Sequence, residues 1–299
     1  MNAVTETSAP EQILQRIDWK IIRKLDGQLQ GDYRSLFYGY GVDFSDLREY
    51  QPYDDIRYID WNVTARMDEP YIRQYTEDRD IAAWFLLDLT PSVEFGTAHS
   101  VKRAVLVDFV ATLARLLTRR GNRVGAIFYG NQVERFIPAR TGRNQVLYLI
   151  RDLLSQPPAA RSGMTSLAPL IESALHSIRR RSLIFVISDF ISTPGWEKPL
   201  GLLNRRHEVV VVRLWDAREV ELPDVGPIIM EDAETGEQLY VDTHDARFRK
   251  RFRAASLQRE DALRLAFQRA GVDQLPLSTN DSIVNAIIQF SALRNRRRK

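Results

Sequence analysis

The chain contains no cysteine, which removes a disulfide framework, a thiol nucleophile and a thiolate metal site from consideration. Histidine is nearly as scarce. His99, His176, His207 and His244 are scattered without the ligand spacing of a zinc-binding helix, and are expected to be ordinary surface or helix residues. An excess of one charge is also missing. The 42 basic and 39 acidic residues leave a net +3, so no general affinity for nucleic acid is implied. No apolar run approaches the about 20 residues needed to span a bilayer. The opening Met1-Asn2-Ala3-Val4-Thr5-Glu6 has neither the basic start nor the apolar core of a signal peptide, and the expected location is the cytoplasm. Phosphate-binding glycine patterns are absent as well. Gly39-Tyr40-Gly41 lacks the third glycine and the preceding strand of a dinucleotide fingerprint, and no Gly-Lys-Thr loop occurs.

What is present is an ordinary globular composition, 44% hydrophobic and 27% charged over 299 residues. That length suits one large α/β domain with a smaller appendage. Four stretches differ in character. Residues 1–29 read as a polar tail followed by a helix from Pro10 to about Leu29, with Ile13, Leu14, Ile17, Ile21, Ile22 and Leu25 at helical spacing. Residues 30–80 are rich in aromatics, Gly, Asp and Arg and read as a small irregular module, with a short strand at Tyr71–Thr76. Residues 81–293 alternate strands and helices. Residues 294–299 form a basic run, Arg294-Asn295-Arg296-Arg297-Arg298-Lys299, expected to be a solvated tail that complements the dipole of the preceding helix.

Within 81–293 the expected strands are 81–87, Val124–Tyr129, Gln132–Ile137, Leu183–Ser188, Val209–Leu214 and Val272–Leu277. Helices are expected over about 98–120, 143–154, 167–180, 196–206, 244–270 and 281–293. Gly130-Asn131 is a hairpin signal, and a second hairpin pairs Pro227–Glu231 with Gln238–Asp242 around Glu234-Thr235-Gly236. Alternation of this kind predicts a doubly wound, mostly parallel sheet with helices on both faces.

In such sheets ligands bind beyond the carboxyl ends of the strands. There stand Asp88-Leu89-Thr90-Pro91-Ser92, the loop Gly163-Met164-Thr165-Ser166, and Ser188-Asp189 at the end of a buried strand. Asp88, Thr90, Ser92, Thr165 and Asp189 could thus converge from three loops. The set is oxygen-only and of low charge, which favours Mg²⁺ or Mn²⁺ over Zn²⁺. Each hydroxyl residue is equally a plausible helix N-cap.

Asp-x-Thr-x-Ser, a Thr after a Gly, and a strand-ending Ser-Asp resemble the metal-ion-dependent adhesion site of von Willebrand factor A domains. The family more often has Ser where this chain has Thr90, which keeps the oxygen. The resemblance implies that Thr90, Ser92 and Thr165 ligate the metal directly and that Asp88 and Asp189 act partly through water. Upstream, Gly39-Tyr40-Gly41-Val42-Asp43-Phe44, Leu47-Arg48-Glu49-Tyr50 and the run from Asp54 to Arg66 resemble the bacterial family called domain of unknown function 58. Gly121-Asn122-Arg123-Val124-Gly125 and Gly271-Val272-Asp273 extend the resemblance over about residues 30–290. Tyr53 and Asp43 depart from the family's usual Gly and Glu. The resemblance implies a von Willebrand factor A-like fold and an interaction protein, not an enzyme. Its partner would be a MoxR-type AAA+ ATPase or a client of one, in chaperone-like assembly.

Two other readings stand beside that one. A metal-dependent hydrolase could use Asp88 and Asp189, although no His or Glu lies near them in sequence to act as base. A structural adaptor could carry the same residues with no metal. In residues 39–66, Arg48, Arg57 and Arg66 are expected to pair with Asp54, Asp55 and Asp60 and to pin the module to the sheet.

Overall fold

A computed structural model of the chain describes residues 10–18, 46–52, 54, 56, 59–67, 69–74, 82–96, 100–161 and 163–298. The apolar run that follows residue 81 forms β3 (Ala82–Asp88), buried along nearly its whole length. A strand apolar at successive positions has no polar face to offer water, so it must be covered on both sides. Phe85 and Leu87 enter one core with α1 (Pro10–Arg16), α3 (Lys102–Thr118), α4 (Arg143–Ser155) and α8 (Ile283–Arg298). Trp84 and Leu86 enter a second core with α5 (Ala168–Ser177), α6 (Glu197–Arg206) and α7 (Ala246–Ala270). The period of two along the strand therefore divides the helices between the two faces.

The remaining strands of this sheet are β4 (Arg123–Tyr129), β5 (Val133–Arg140), β6 (Leu183–Ser188), β7 (Glu208–Trp215) and β10 (Asp273–Ser278). Their spatial order is β10-β7-β6-β3-β4-β5. All neighbours are parallel except β4 and β5, the hairpin signalled by Gly130-Asn131. The expected doubly wound, mostly parallel α/β sheet is what forms. From β3 the chain winds outward to β4 and β5, then crosses back to β6 on the other flank. The boundary between β3 and β6 is thus the topological switch point, where a crevice opens at the carboxyl ends of the strands.

Element bounds follow local chemistry. Helix α3 stops where Gly121 takes φ +83, a conformation that residues with a β-carbon resist. The second hairpin has the expected bounds, β8 (Pro227–Glu231) and β9 (Gln238–Asp242), and stands as a separate two-stranded sheet. In the small module β1 (Asp46–Glu49) pairs antiparallel with β2 (Tyr71–Gln74). Between them lies α2 (Trp61–Met67), whose Val63 amide donates to the Asp60 side chain at 3.3 Å. Asp54 accepts from the Gln51 amide at 2.8 Å. Of the pairing expected there, Asp55, Arg57 and the side chain of Arg48 lie outside the described residues, as do residues 19–29 of the expected first helix.

Two expectations need correction. His207 is buried rather than superficial; burial, and then the charge of Arg206, hold its imidazole below the usual range. Arg294, the first residue of the basic run, is not solvated. Helix α8 continues through it to Arg298, and Arg294 is only 5% exposed. Its guanidinium lies over the Phe290 ring, donates to Asp273 at 2.9 Å and is also bonded to Glu208. Reading the run by charge alone missed that its first member has carboxylate partners at the starts of two strands. Arg294→Ala should cost about 2 kcal/mol of stability, somewhat less than a fully buried pair because Asp273 is partly exposed. A solvated residue would change it by no more than about 0.5 kcal/mol; urea denaturation distinguishes the two.

Candidate metal-binding site at the strand ends

Asp88 is the last residue of β3, and Ser188, the last residue of β6, lies level with it on the neighbouring strand. The Ser188 hydroxyl donates to Asp88 Oδ2 at 2.6 Å. After Asp88, Pro91 begins a single 3₁₀ turn, Pro91–Glu94, as its fixed φ and missing N–H favour. This turn folds Thr90 and Ser92 back over the strand end. Thr90 occupies the N-cap position, yet its hydroxyl does not cap. It donates instead to Asp88 Oδ1 at 2.7 Å, and the Thr90 amide donates to the same oxygen at 3.1 Å. Ser92 Oγ lies 3.3 Å from Thr90 Oγ1. With the Thr90 proton committed to Asp88, Ser92 is the donor of that pair. The hydroxyl protons then run one way, Ser92 to Thr90 to Asp88.

Asp189 follows Ser188 in a turn where Phe190 adopts φ +54, a left-handed conformation costly for a residue with a β-carbon. Packing holds it there. The Phe190 ring meets Trp196 edge-on at 5.1 Å and Phe267 at 4.9 Å, and its amide donates to Ser188 Oγ at 2.8 Å. The turn places the Asp189 carboxylate in the interior, where Oδ1 accepts from the Ile191 amide at 3.0 Å and Oδ2 from Lys102 Nζ at 2.6 Å. Lys102, the first residue of α3, also donates to Glu219 at 2.6 Å. The lysine and Asp189 are each 1% exposed. Neither Lys102 nor Glu219 entered the sequence reading, because a lysine inside an otherwise apolar helix stripe gives no local sign of its partner.

These contacts divide the two carboxylates by charge state. Burial raises the Asp88 carboxyl, the negative charge of Asp189 raises it further, and the hydrogen bonds from Ser188 and Thr90 oppose both, leaving it pushed up to about 6. Burial acts on Asp189 in the same direction, but Lys102 and Arg213 outweigh it and hold that carboxyl below the usual range. Burial would also lower the Lys102 ammonium, whereas Asp189 and Glu219 outweigh it and raise it.

Thr165 completes the expected set from the third loop. Gly163, at φ +91, turns the chain before it, and the Thr165 carbonyl accepts from the Thr193 amide at 2.8 Å, tying this loop to the one after Asp189. The Thr165 hydroxyl is buried with no hydrogen-bond partner among the described residues. One residue outside the expected set joins the site. Glu234, from the β8–β9 turn, accepts from the Ser92 amide at 3.1 Å. It is also buried, and its other carboxylate oxygen has no hydrogen-bond partner among the described residues. Among the described residues no three His, Cys, Asp or Glu side chains are grouped to hold a metal, so a cation here would lean on hydroxyl oxygens. The donor chemistry fits a hard divalent ion: two carboxylates, three hydroxyls, one of them an orphan, and no nitrogen or sulfur ligand. Asp88, Thr90, Ser92, Thr165 and Asp189 are all buried, so the site is covered.

The family model described as protein of unknown function DUF58 matches residues 46–262. The chain belongs to this family. An uncharacterised protein of Mycobacterium tuberculosis is 36% identical over 284 residues, covering 95% of this chain and 89% of the relative. Among solved structures, an aerotolerance-related membrane protein from Bacteroides fragilis aligns at 16% identity and a TM-score of 0.47, covering 72% of this chain and 99% of that one. The SpRpn10 VWA domain aligns at 10% identity and a TM-score of 0.39, covering 70% and 93%. Among the described residues of this chain, no helix is long and apolar enough to cross a membrane.

Two outcomes follow for the DUF58 site. Lys102→Met leaves the Asp189 and Glu219 carboxylates without their ammonium and should lower stability by about 3–5 kcal/mol, measured by denaturant unfolding. Asp88 gives a pH effect of defined sign. Its carboxyl is raised in the folded state, so the fold holds more protons than the unfolded chain between about pH 4 and 6, and stability falls as pH rises through that window. In EDTA, Asp88→Asn should therefore melt higher than wild type at pH 7, by roughly 3 kcal/mol at 1.4 kcal/mol per unit. The two should converge near pH 4, a comparison that thermal melts across that range make directly.

Proposed function

We propose that this DUF58 chain is a protein–protein interaction adaptor whose contact is assisted by Mg²⁺ or Mn²⁺ held at the strand ends. Thr90, Ser92 and Thr165 would ligate through their hydroxyls, with Asp88 and Asp189 orienting bound water. When bound, the ion supplies an electrophilic position that an Asp or Glu of a partner can complete. The observation that carries this reading is the Thr165 hydroxyl, buried and without a hydrogen-bond partner among the described residues, in a loop tied through its carbonyl to the one after Asp189. A buried donor and acceptor left unmade costs on the order of 1–3 kcal/mol, and a hard cation is the ligand that an oxygen-only set would use. The ordered hydroxyl chain from Ser92 through Thr90 to Asp88 supports it by committing the hydroxyl protons within the chain, which leaves the Ser92 oxygen lone pairs available to a cation.

The partner in this reading is a MoxR-type AAA+ ATPase, or its client, in the assembly or maturation of client proteins. That part rests on the resemblance of residues 39–66 and of the Asp88, Thr165 and Asp189 segments to the family. Calorimetric titration with Mn²⁺ should show one site in wild type. Thr165→Val should weaken it roughly tenfold, one lost ligand contact, without a change in the melting curve beyond that of a buried conservative swap. Capture of a MoxR-type AAA+ protein should be lost in excess EDTA and in Asp88→Asn. Absence of Mn²⁺ binding, or equal capture in EDTA, would sink the metal-assisted reading.

A further inference from the structure

Glu234 is the feature that the proposed contact leaves unused. The turn that carries it is tightly specified. Asp232 Oδ1 accepts from the Glu234 and Thr235 amides at 3.0 and 2.8 Å and from the Thr235 hydroxyl at 3.0 Å, and Gly236 closes the turn at φ +75. This geometry turns the Glu234 side chain inward while the body of the hairpin faces solvent. Ile229, Leu239 and Tyr240 are 65%, 59% and 71% exposed, and in β9 only Val241 is buried. A strand pair that buries so little apolar surface gains little from being docked. Its base is pinned by Thr243, which bonds Val225 and Gly226. Its tip is held by the Glu231–Arg161 contact and by Glu234 on Ser92.

An inward carboxylate here is costly on its own. Asp88, Asp189 and Glu219 already gather at this edge, and Glu234 brings a further buried carboxylate to it. Among the described residues only one of its oxygens is hydrogen-bonded, to the amide of Ser92, a proposed ligand. The second oxygen is the same chemical group, an unpaired carboxylate oxygen, that a partner's Asp or Glu would bring. Thr165 Oγ1 is likewise buried without a hydrogen-bond partner among the described residues.

Resting on the metal-assisted reading above, we infer that Glu234 is an internal substitute for the partner's acidic side chain. The β8–β9 hairpin is the cover that carries it, and an external carboxylate engages the site by displacing Glu234. The hairpin swings about its Thr243 base. The site is then closed by its own chain until a partner competes for it, and the exposed outer face of the hairpin stays reachable while the site is shut.

The test uses the full chain, Mn²⁺ as probe, and hydrogen–deuterium exchange of residues 228–241 in wild type, Glu234→Ala and Glu234→Gln. In wild type, Mn²⁺ should slow exchange in the hairpin roughly tenfold, the factor that one charge-assisted contact provides. Both variants should bind Mn²⁺ yet lose this slowing. Water proton relaxation by the bound Mn²⁺ should rise in both, because a position held by Glu234 becomes open to water. Glu234→Gln is the decisive variant, since its amide oxygen can still accept from the Ser92 amide and preserve a purely structural tether. Wild-type slowing and relaxation in that variant overturn the inference while leaving the metal reading intact. A wild-type chain that takes no Mn²⁺ overturns both.

Discussion

The arrangement depends on placing carboxylates at the ends of adjacent, fully buried strands without leaving their charge unbalanced. A buried anion is tolerated only when paired or neutralised, and this chain uses both solutions side by side. The Lys102 ammonium pairs with Asp189 and Glu219, whereas Asp88 is held by neutral donors from Thr90 and Ser188 and has a raised affinity for a proton. From this pairing follows the rest of the edge. Glu219 also accepts from the Asp216 amide at 3.0 Å, and Asp216 accepts from Thr279 at 2.6 Å. One polar belt thus runs along the carboxyl ends of β3, β6, β7 and β10.

The sheet's winding explains why the belt centres where it does. Helices that cross in opposite directions from β3 and β6 leave their strand ends uncovered by a direct connection. The short turns after these strands must then supply their own hydrogen bonds, and Thr90, Ser92 and Ser188 do so with side chains. The cover comes from later in the chain, a hairpin inserted between β7 and α7, which is why the edge is closed without being filled by a helix.

Much of this was legible in the sequence. Apolar runs at 81–87, Leu183–Ser188 and Val209–Leu214 marked the buried parallel strands, because a strand covered on both faces has no alternation to obscure it. The β8–β9 bounds were readable from turn residues. Asp88, Thr90, Ser92 and Asp189 stand at one sheet edge, and the Thr165 carbonyl is bonded to Thr193 in the loop after Asp189. What escaped was every long-range charge: Lys102 on Asp189, Arg294 on Asp273, Arg213 on Glu260 and Glu234 on Ser92. Local periodicity marks which face a residue occupies, but not which charge waits across a sequence gap. A basic residue inside an apolar helix was the available clue for Lys102, and it was visible only as a break in the stripe.

Phe190 gives the edge a dependence on distant parts. Its left-handed backbone is packed under rings from α6's entry and from the last turn of α7. Let those helices shift, and the residue can relax toward an ordinary backbone, rotating the neighbouring carboxylate as it does so. The aromatic trio therefore ties the turn that places Asp189 to the packing of α6 and α7.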